Sequence, residues 1–168
     1  NKVKQALPES FIFFQPRDIV SGDFYWFSQI SAQKSVIAAV DCTGHGVPGA
    51  FMSLIGNDVL NETVNARNIH EADAILHSLH IGVVNALNQR ATDNRDGMDM
   101  TLCVVDQENK QVHFAGAKNE VVYIQNGIVD QLKGDKMPIG GERLDIERLF
   151  NKQTVDITAP TTFYMFSD

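Results

Sequence analysis

Three acids in this sequence stand where they could hold a metal ion. Asp41-Cys42-Thr43-Gly44-His45-Gly46 follows directly on the apolar run Val36-Ile37-Ala38-Ala39-Val40, which reads as a buried strand, so a carboxylate is held at the strand's mouth. Asp23 lies in Ser21-Gly22-Asp23-Phe24-Tyr25-Trp26, against an aromatic, β-prone stretch, and Asp168 closes the strand-like run Phe163-Tyr164-Met165-Phe166-Ser167. Hard divalent cations such as Mg²⁺ and Mn²⁺ take oxygen donors from a few carboxylates and backbone carbonyls. Gly22, Gly44, Gly46 and Gly49 remove side-chain bulk where chain and ligand must approach. Each acid alone reads as a solvated strand cap or Asx-turn. Together, at three strand ends, they point to metal chemistry.

The elements that must position these acids follow from periodicity. Residues 11–17 and 22–27 read as short strands around a turn at Pro16 to Gly22, and residues 35–41 as the central strand. Residues 48–66 turn helical, with Phe51, Leu54, Ile55, Val59 and Leu60 at helical spacing, and a second helix over 71–89 places Ile75, Leu76, Leu79, Val83 and Leu87 on one stripe. After a polar loop at 92–97, strands are expected at 100–106, 111–115, 121–125 and 128–132, the last two joined by the hairpin signal Asn126-Gly127 and the earlier two by Glu108-Asn109-Lys110. Strands, a helical pair, then antiparallel strands make an α+β arrangement whose helices cover a sheet.

Composition bounds the function. The 168 residues suit one domain, 43% apolar and 21% charged, with residues 1–10 expected to be the end of a linker. A formal charge of −7 argues against a nucleic-acid or anionic-membrane surface. Cys42 and Cys103 form no disulfide framework or zinc spacing, so a reducing cytoplasm is expected and both read as small apolar packers. No apolar stretch approaches a bilayer span; an anchor elsewhere in a longer, membrane-bound sensor stays open. The start without Met and the end on a strand lead us to expect a piece of a domain that continues past residue 168.

Five segments, in order, carry a resemblance. They are Pro16-Arg17-Asp18-Ile19-Val20-Ser21-Gly22-Asp23-Phe24-Tyr25-Trp26, Val40 through Ala50, Phe114-Ala115-Gly116-Ala117-Lys118-Asn119, Met137-Pro138-Ile139-Gly140 and Phe166-Ser167-Asp168. The chain resembles the bacterial SpoIIE-type protein phosphatases of the metal-dependent PPM superfamily over nearly its whole length. The resemblance implies two packed antiparallel β-sheets flanked by α-helices, an α/β/β/α sandwich with metals at the end between the sheets. It implies a serine/threonine phosphoprotein phosphatase with two Mg²⁺ or Mn²⁺ ions, and a third in a looser position. Asp41 would bridge two ions as the catalytic residue, with the Cys42 carbonyl, Asp23 and Asp168 completing the set and Asp99 at the third position. A water shared between the ions would attack phosphorus in line. A further family acid lies beyond Asp168. The implied partner is a phosphorylated regulatory protein of the anti-sigma-antagonist type in a partner-switching pathway, with homodimerisation open. The alternative is a non-catalytic or activator-dependent signalling module of the same fold.

Other candidates are weighed against plainer readings. His45 could protonate a leaving group, but it stands four residues after Asp41, where eukaryotic relatives place their histidine two after, and loop architecture is the expectation. Arg17 or Lys118 could clamp phosphate, a choice the sequence does not make. Asp99 could equally cap the following strand. Gly44 to Gly49 matches G-x-G-x-x-G, but two successive helices and hairpins follow it rather than a βαβ unit with a distal acid. His77 and His80 at i, i+3 lack a third zinc ligand, so a partly exposed helix face is expected. The Asn61-Glu62-Thr63 sequon falls in a helix. Phe11, Phe13, Phe14, Trp26 and Phe27 are expected in the core.

Overall fold

The computed structural model describes residues 2–16, 19–141 and 148–167. Its elements run α1 (Lys2–Ala6), β1 (Phe24–Gln29), β2 (Lys34–Cys42), α2 (Gly46–Leu60) with a π-helical continuation over Asn61–Ala66, and α3 (Ala72–Ala86). The strands β3 (Gly97–Asp106), β4 (Gln111–Ala117), β5 (Val121–Gln125), β6 (Ile128–Leu132), β7 (Ile139–Gly140), β8 (Gln153–Asp156) and β9 (Thr161–Tyr164) follow. Among the described residues the strands form two antiparallel sheets. One has the order β1-β2-β3-β4-β8 with β7 paired to β3, and the other the order β6-β5-β9. No described helix is long and apolar enough to cross a membrane.

Strand alternation divides the core into two layers. Val36, Ala38, Val40 and Cys42 of β2, with Met98, Met100, Leu102 and Val104 of β3, pack against Met52, Leu60, Ile75 and Leu79 of the helices. The opposite face carries Cys103, Val112 and Phe114, which meet Val121, Leu132 and Phe163 of the second sheet. The helices cover one sheet and the second sheet covers the other face, as the α+β expectation required.

Local chemistry explains the turns. Asn126 and Gly127 take φ of 53° and 75°, the left-handed pair of a type I′ hairpin, so β5 and β6 begin and end at the expected residues. Asp106 accepts the Asn109 backbone N–H at 2.9 Å and its side-chain amide at 3.0 Å, which closes the β3–β4 turn and holds the Asp106 carboxyl below the usual range.

Several expectations are corrected. Residues 11–16 form no strand, and Phe11, Phe13 and Phe14 are 79%, 81% and 48% exposed rather than core; only Trp26 of that aromatic group is fully buried. β-propensity marks residues able to sit on a pleated surface, but among the described residues no strand pairs with 11–16. Phe51 and Leu54 point to solvent, because α2 buries Gly49, Met52, Gly56 and Leu60 instead. His80 is buried, not on an exposed face.

Candidate active site

The antiparallel register sets Asp41 directly opposite Asp99 on β2 and β3. Both are odd-numbered, so both share the inter-sheet face with Ile37 and Cys103 rather than the helix face. Just beyond them the ladder is clamped: the Thr43 N–H donates to the Gly97 carbonyl at 2.9 Å and the Gly97 N–H to Thr43 Oγ1 at 3.1 Å. Asp99 is therefore a ladder residue, not the cap of a following strand.

Asp23 arrives from the loop before β1. A Cβ on Gly22 would stand 2.8 Å from the Gly44 carbonyl oxygen and 3.3 Å from that of Cys42, so only glycine lets this loop lie against the β2–α2 turn. Burial, then the charges of Asp23 and Asp41, push the Cys42 thiol up to about 12. The Cys42 side chain belongs to the core layer that packs against the helices. Cys103, buried in the other layer, is likewise pushed up to about 12, so both cysteines pack as neutral apolar groups. The Ser167 hydroxyl donates to Asp23 Oδ2 at 3.0 Å, which brings the segment after β9 beside the same acid. Asp168 and Arg17 lie outside the described residues.

Asp41 and Asp99 open onto a cleft of about 560 Å³. Like charges directly opposite on an antiparallel pair are destabilising, and Lys118 partly offsets this with Nζ 3.7 Å from Asp99 Oδ1. An all-oxygen set of opposed carboxylates and a neighbouring carbonyl fits a hard divalent cation, which would remove the remaining repulsion. His45 is the residue before α2, in extended conformation, with no side-chain cap bond to the helix.

Sequence reasoning missed the cationic side of the cleft, where Arg95, Lys136 and Arg148 join Lys118. It also missed how α3 braces the cleft from behind. His80 Nδ1 accepts the Gly140 N–H at 3.0 Å, Gln89 Oε1 accepts the Gly141 N–H at 3.2 Å, and Gln89 Nε2 donates to the Asp96 carbonyl at 2.6 Å. Arg148 donates to the Pro138 and Gly140 carbonyls. No periodicity marks such contacts. The one available signal was a polar Gln89 and His80 in or beside an otherwise apolar helix stripe.

A family model described as Stage II sporulation protein E (SpoIIE) matches residues 31–168. The chain belongs to the SpoIIE family. Among solved structures, the SiaA-PP2C domain of Pseudomonas aeruginosa matches with a TM-score of 0.83 at 32% identity, over 98% of this chain and 63% of that one. The PP2C phosphatase domain of SpoIIE from Bacillus subtilis, with a fragment of its regulatory domain, matches at TM-score 0.67 and 19% identity, over 86% of this chain and 39% of that one. RsbX in complex with magnesium matches at TM-score 0.66 and 14% identity, over 90% and 68%. This chain thus spans less than two thirds of the first two relatives. Comparison with curated protein sequences gave no match. The fold is that of a SpoIIE-type PPM phosphatase domain.

Proposed function

We propose that this SpoIIE-family domain is a divalent-metal-dependent phosphatase that hydrolyses phosphoserine or phosphothreonine in a protein. The observation that carries this reading is the pairing of Asp41 with Asp99 across β2 and β3, at the mouth of a cleft that also presents Lys118. Asp41, Asp99, Asp23 and the Cys42 carbonyl would hold Mg²⁺ or Mn²⁺ ions, two in number and a third near Asp99, with Asp168 assigned to the same set by the family resemblance. Bound ions of this kind polarise phosphoryl oxygens and make a water acidic enough to attack near neutral pH.

The chain's own residues do the rest. The β2–β3 ladder, clamped by Thr43 and Gly97, holds Asp41 and Asp99 in fixed register. The Gly22 contact holds the loop that carries Asp23 against the β2–α2 turn. The bracing of the 137–141 loop by His80, Gln89 and Arg148 keeps the opposite wall in place, so little reorganisation is needed when substrate enters. The reading extends to a partner-switching role, acting on a phosphorylated regulatory protein of the anti-sigma-antagonist type in the cytoplasm. Its support is membership of the SpoIIE family.

The test is phosphate release from p-nitrophenyl phosphate and a phosphoserine peptide with Mn²⁺, Mg²⁺ or EDTA, on this chain and on a longer one continuing past Asp168. Release with either metal and none with EDTA is expected. A folded, metal-binding protein that releases no phosphate at either length would overturn catalysis in favour of a signalling module.

A further inference from the structure

We infer that the cleft selects a phosphorylated serine or threonine lying within an acidic segment of its protein substrate. Lys118 takes the phosphoryl group, and Lys136 and Arg95 take neighbouring carboxylates. The inference deepens the phosphatase reading and rests on it for the nature of the ligand.

Charge distribution is the first observation. The chain carries a net −7, yet the described residues around the cleft include four cations, Arg95, Lys118, Lys136 and Arg148, against the two acids Asp41 and Asp99. A cleft wall that gathers cations on a chain of net negative charge attracts anionic groups that the remainder repels. Arg148 drops out as a recognition group, because it is 3% exposed and spends its guanidinium on the Pro138 and Gly140 carbonyls. Arg95, Lys118 and Lys136 are exposed.

The mounting of Lys118 is the second. Its φ of 60° is a left-handed conformation that non-glycine residues adopt only when their surroundings impose it. Here the Lys118 N–H donates to the Asp135 carbonyl at 2.7 Å, the Asn119 N–H to Ala117 at 2.8 Å and the Asp135 N–H to Gly116 at 2.8 Å. A Cβ on Gly116 would lie 2.3 Å from the Asn119 carbonyl oxygen, so the turn has no slack. A fixed backbone thus carries an ammonium 3.7 Å from Asp99, where a phosphoryl oxygen drawn to the acids' cations would also meet it. Arg95, which also lines the cleft, is similarly held, donating from Nη1 to the Thr92 and Asn94 carbonyls at 3.0 and 2.8 Å. Such pre-organisation lowers the ordering cost of binding.

The test is fluorescence anisotropy with three labelled peptides and Mg²⁺ present. Two carry a non-hydrolysable phosphonate analogue of phosphoserine, flanked by aspartates in one and by lysines in the other. The third is the aspartate-flanked peptide with plain serine. The acidic phosphonate peptide is expected to bind about tenfold more tightly than the basic one at low ionic strength, with the ratio shrinking as salt rises. Lys136→Glu and Arg95→Glu, both at exposed positions, should each erase most of that ratio. Lys118→Ala should weaken both phosphonate peptides while leaving the plain-serine peptide unchanged. Equal affinity for the two phosphonate peptides in the wild-type protein overturns the inference whatever the variants do, and so does plain serine binding as well as its phosphonate counterpart. Metal-dependent phosphate release alongside equal affinities keeps the phosphatase and removes the acidic selection. Acidic selection with no release in any divalent metal supports the selection and removes the phosphatase.

Discussion

On β2 and β3 the even-numbered side chains meet α2 and α3, while the odd-numbered ones look toward the second sheet and end, at one end of the ladder, in Asp41 and Asp99. The helix side is closed: Val36, Met100, Leu102 and Val104 have no exposure at all. The inter-sheet side is a smaller cluster in which Ile37, Val105, Leu132 and Phe163 are only partly buried. One pair of strands therefore serves stability through one face and carries the proposed chemistry on the other. The reason is the two-residue period of the strand, which lets neighbouring residues answer to unrelated demands. It follows that substitutions one position apart should fail in different ways.

The sharpest break is Asp41→Asn. Turnover is expected to fall by roughly two to three orders of magnitude, the scale of removing a group that stabilises transition-state charge. The melting temperature should hold or rise, because the repulsion from Asp99 is relieved. Phosphate release with Mn²⁺ and a thermal melt on the same preparation check both. Collapse of the fold would place Asp41 on the stability side and end the division of labour.

Leu102→Ala, on the closed face, should cost about 2–5 kcal/mol in urea unfolding, through lost transfer energy and the cavity left behind. Phe163→Ala, half-buried between the sheets, is expected to cost less despite the larger side chain. The reverse order would show that the inter-sheet layer is the principal core.

His80 tests the brace between α3 and the cleft. Burial, then the charges of Arg148, His77 and Arg90, lower it from 6.5 to about 4. A depressed histidine is neutral in the fold while the unfolded chain takes up a proton first. Its contribution is therefore complete above about pH 6.5 and is lost as pH falls toward 4. Melting curves between pH 7 and 4 should slope downward on acidification, and His80→Asn, which keeps an acceptor for the Gly140 N–H, should flatten that slope. An unchanged slope would assign the acid sensitivity to other groups.

The smallest effect is expected at the surface. Glu71 and Lys152 approach to 2.6 Å but are half-exposed and a third exposed, so Glu71→Ala should cost under about 1 kcal/mol and less in high salt. Chemical unfolding at two ionic strengths measures it.

Much of the fold was legible. The β5–β6 hairpin matched residue for residue because Asn126-Gly127 specifies a turn whose geometry sets the register. α3 emerged from its apolar stripe, and β2 from its continuous apolar run. The candidate site was read from Asp41 and Asp23, which stood out beside glycines, and from Asp99 by resemblance alone; the structure sets Asp41 opposite Asp99. Phe11, Phe13, Phe14, Phe51 and Leu54 misled, since apolarity and spacing report what a residue could bury and not whether anything lies against it.

The sequence by itself determined the strand and helix periods, the hairpin turn, the acidic charge and the acids with their flanking glycines, because these are local properties of neighbouring residues. Only the tertiary structure decided that Asp41 faces Asp99, that Lys118 reaches it from the far end of β4, and that His80, Gln89 and Arg148 brace the wall opposite. The pairings made by Asp41, His80 and Gln89 join residues more than about fifty positions apart. They depend on register and sheet order, which are settled by the whole core closing at once and leave no trace in local spacing.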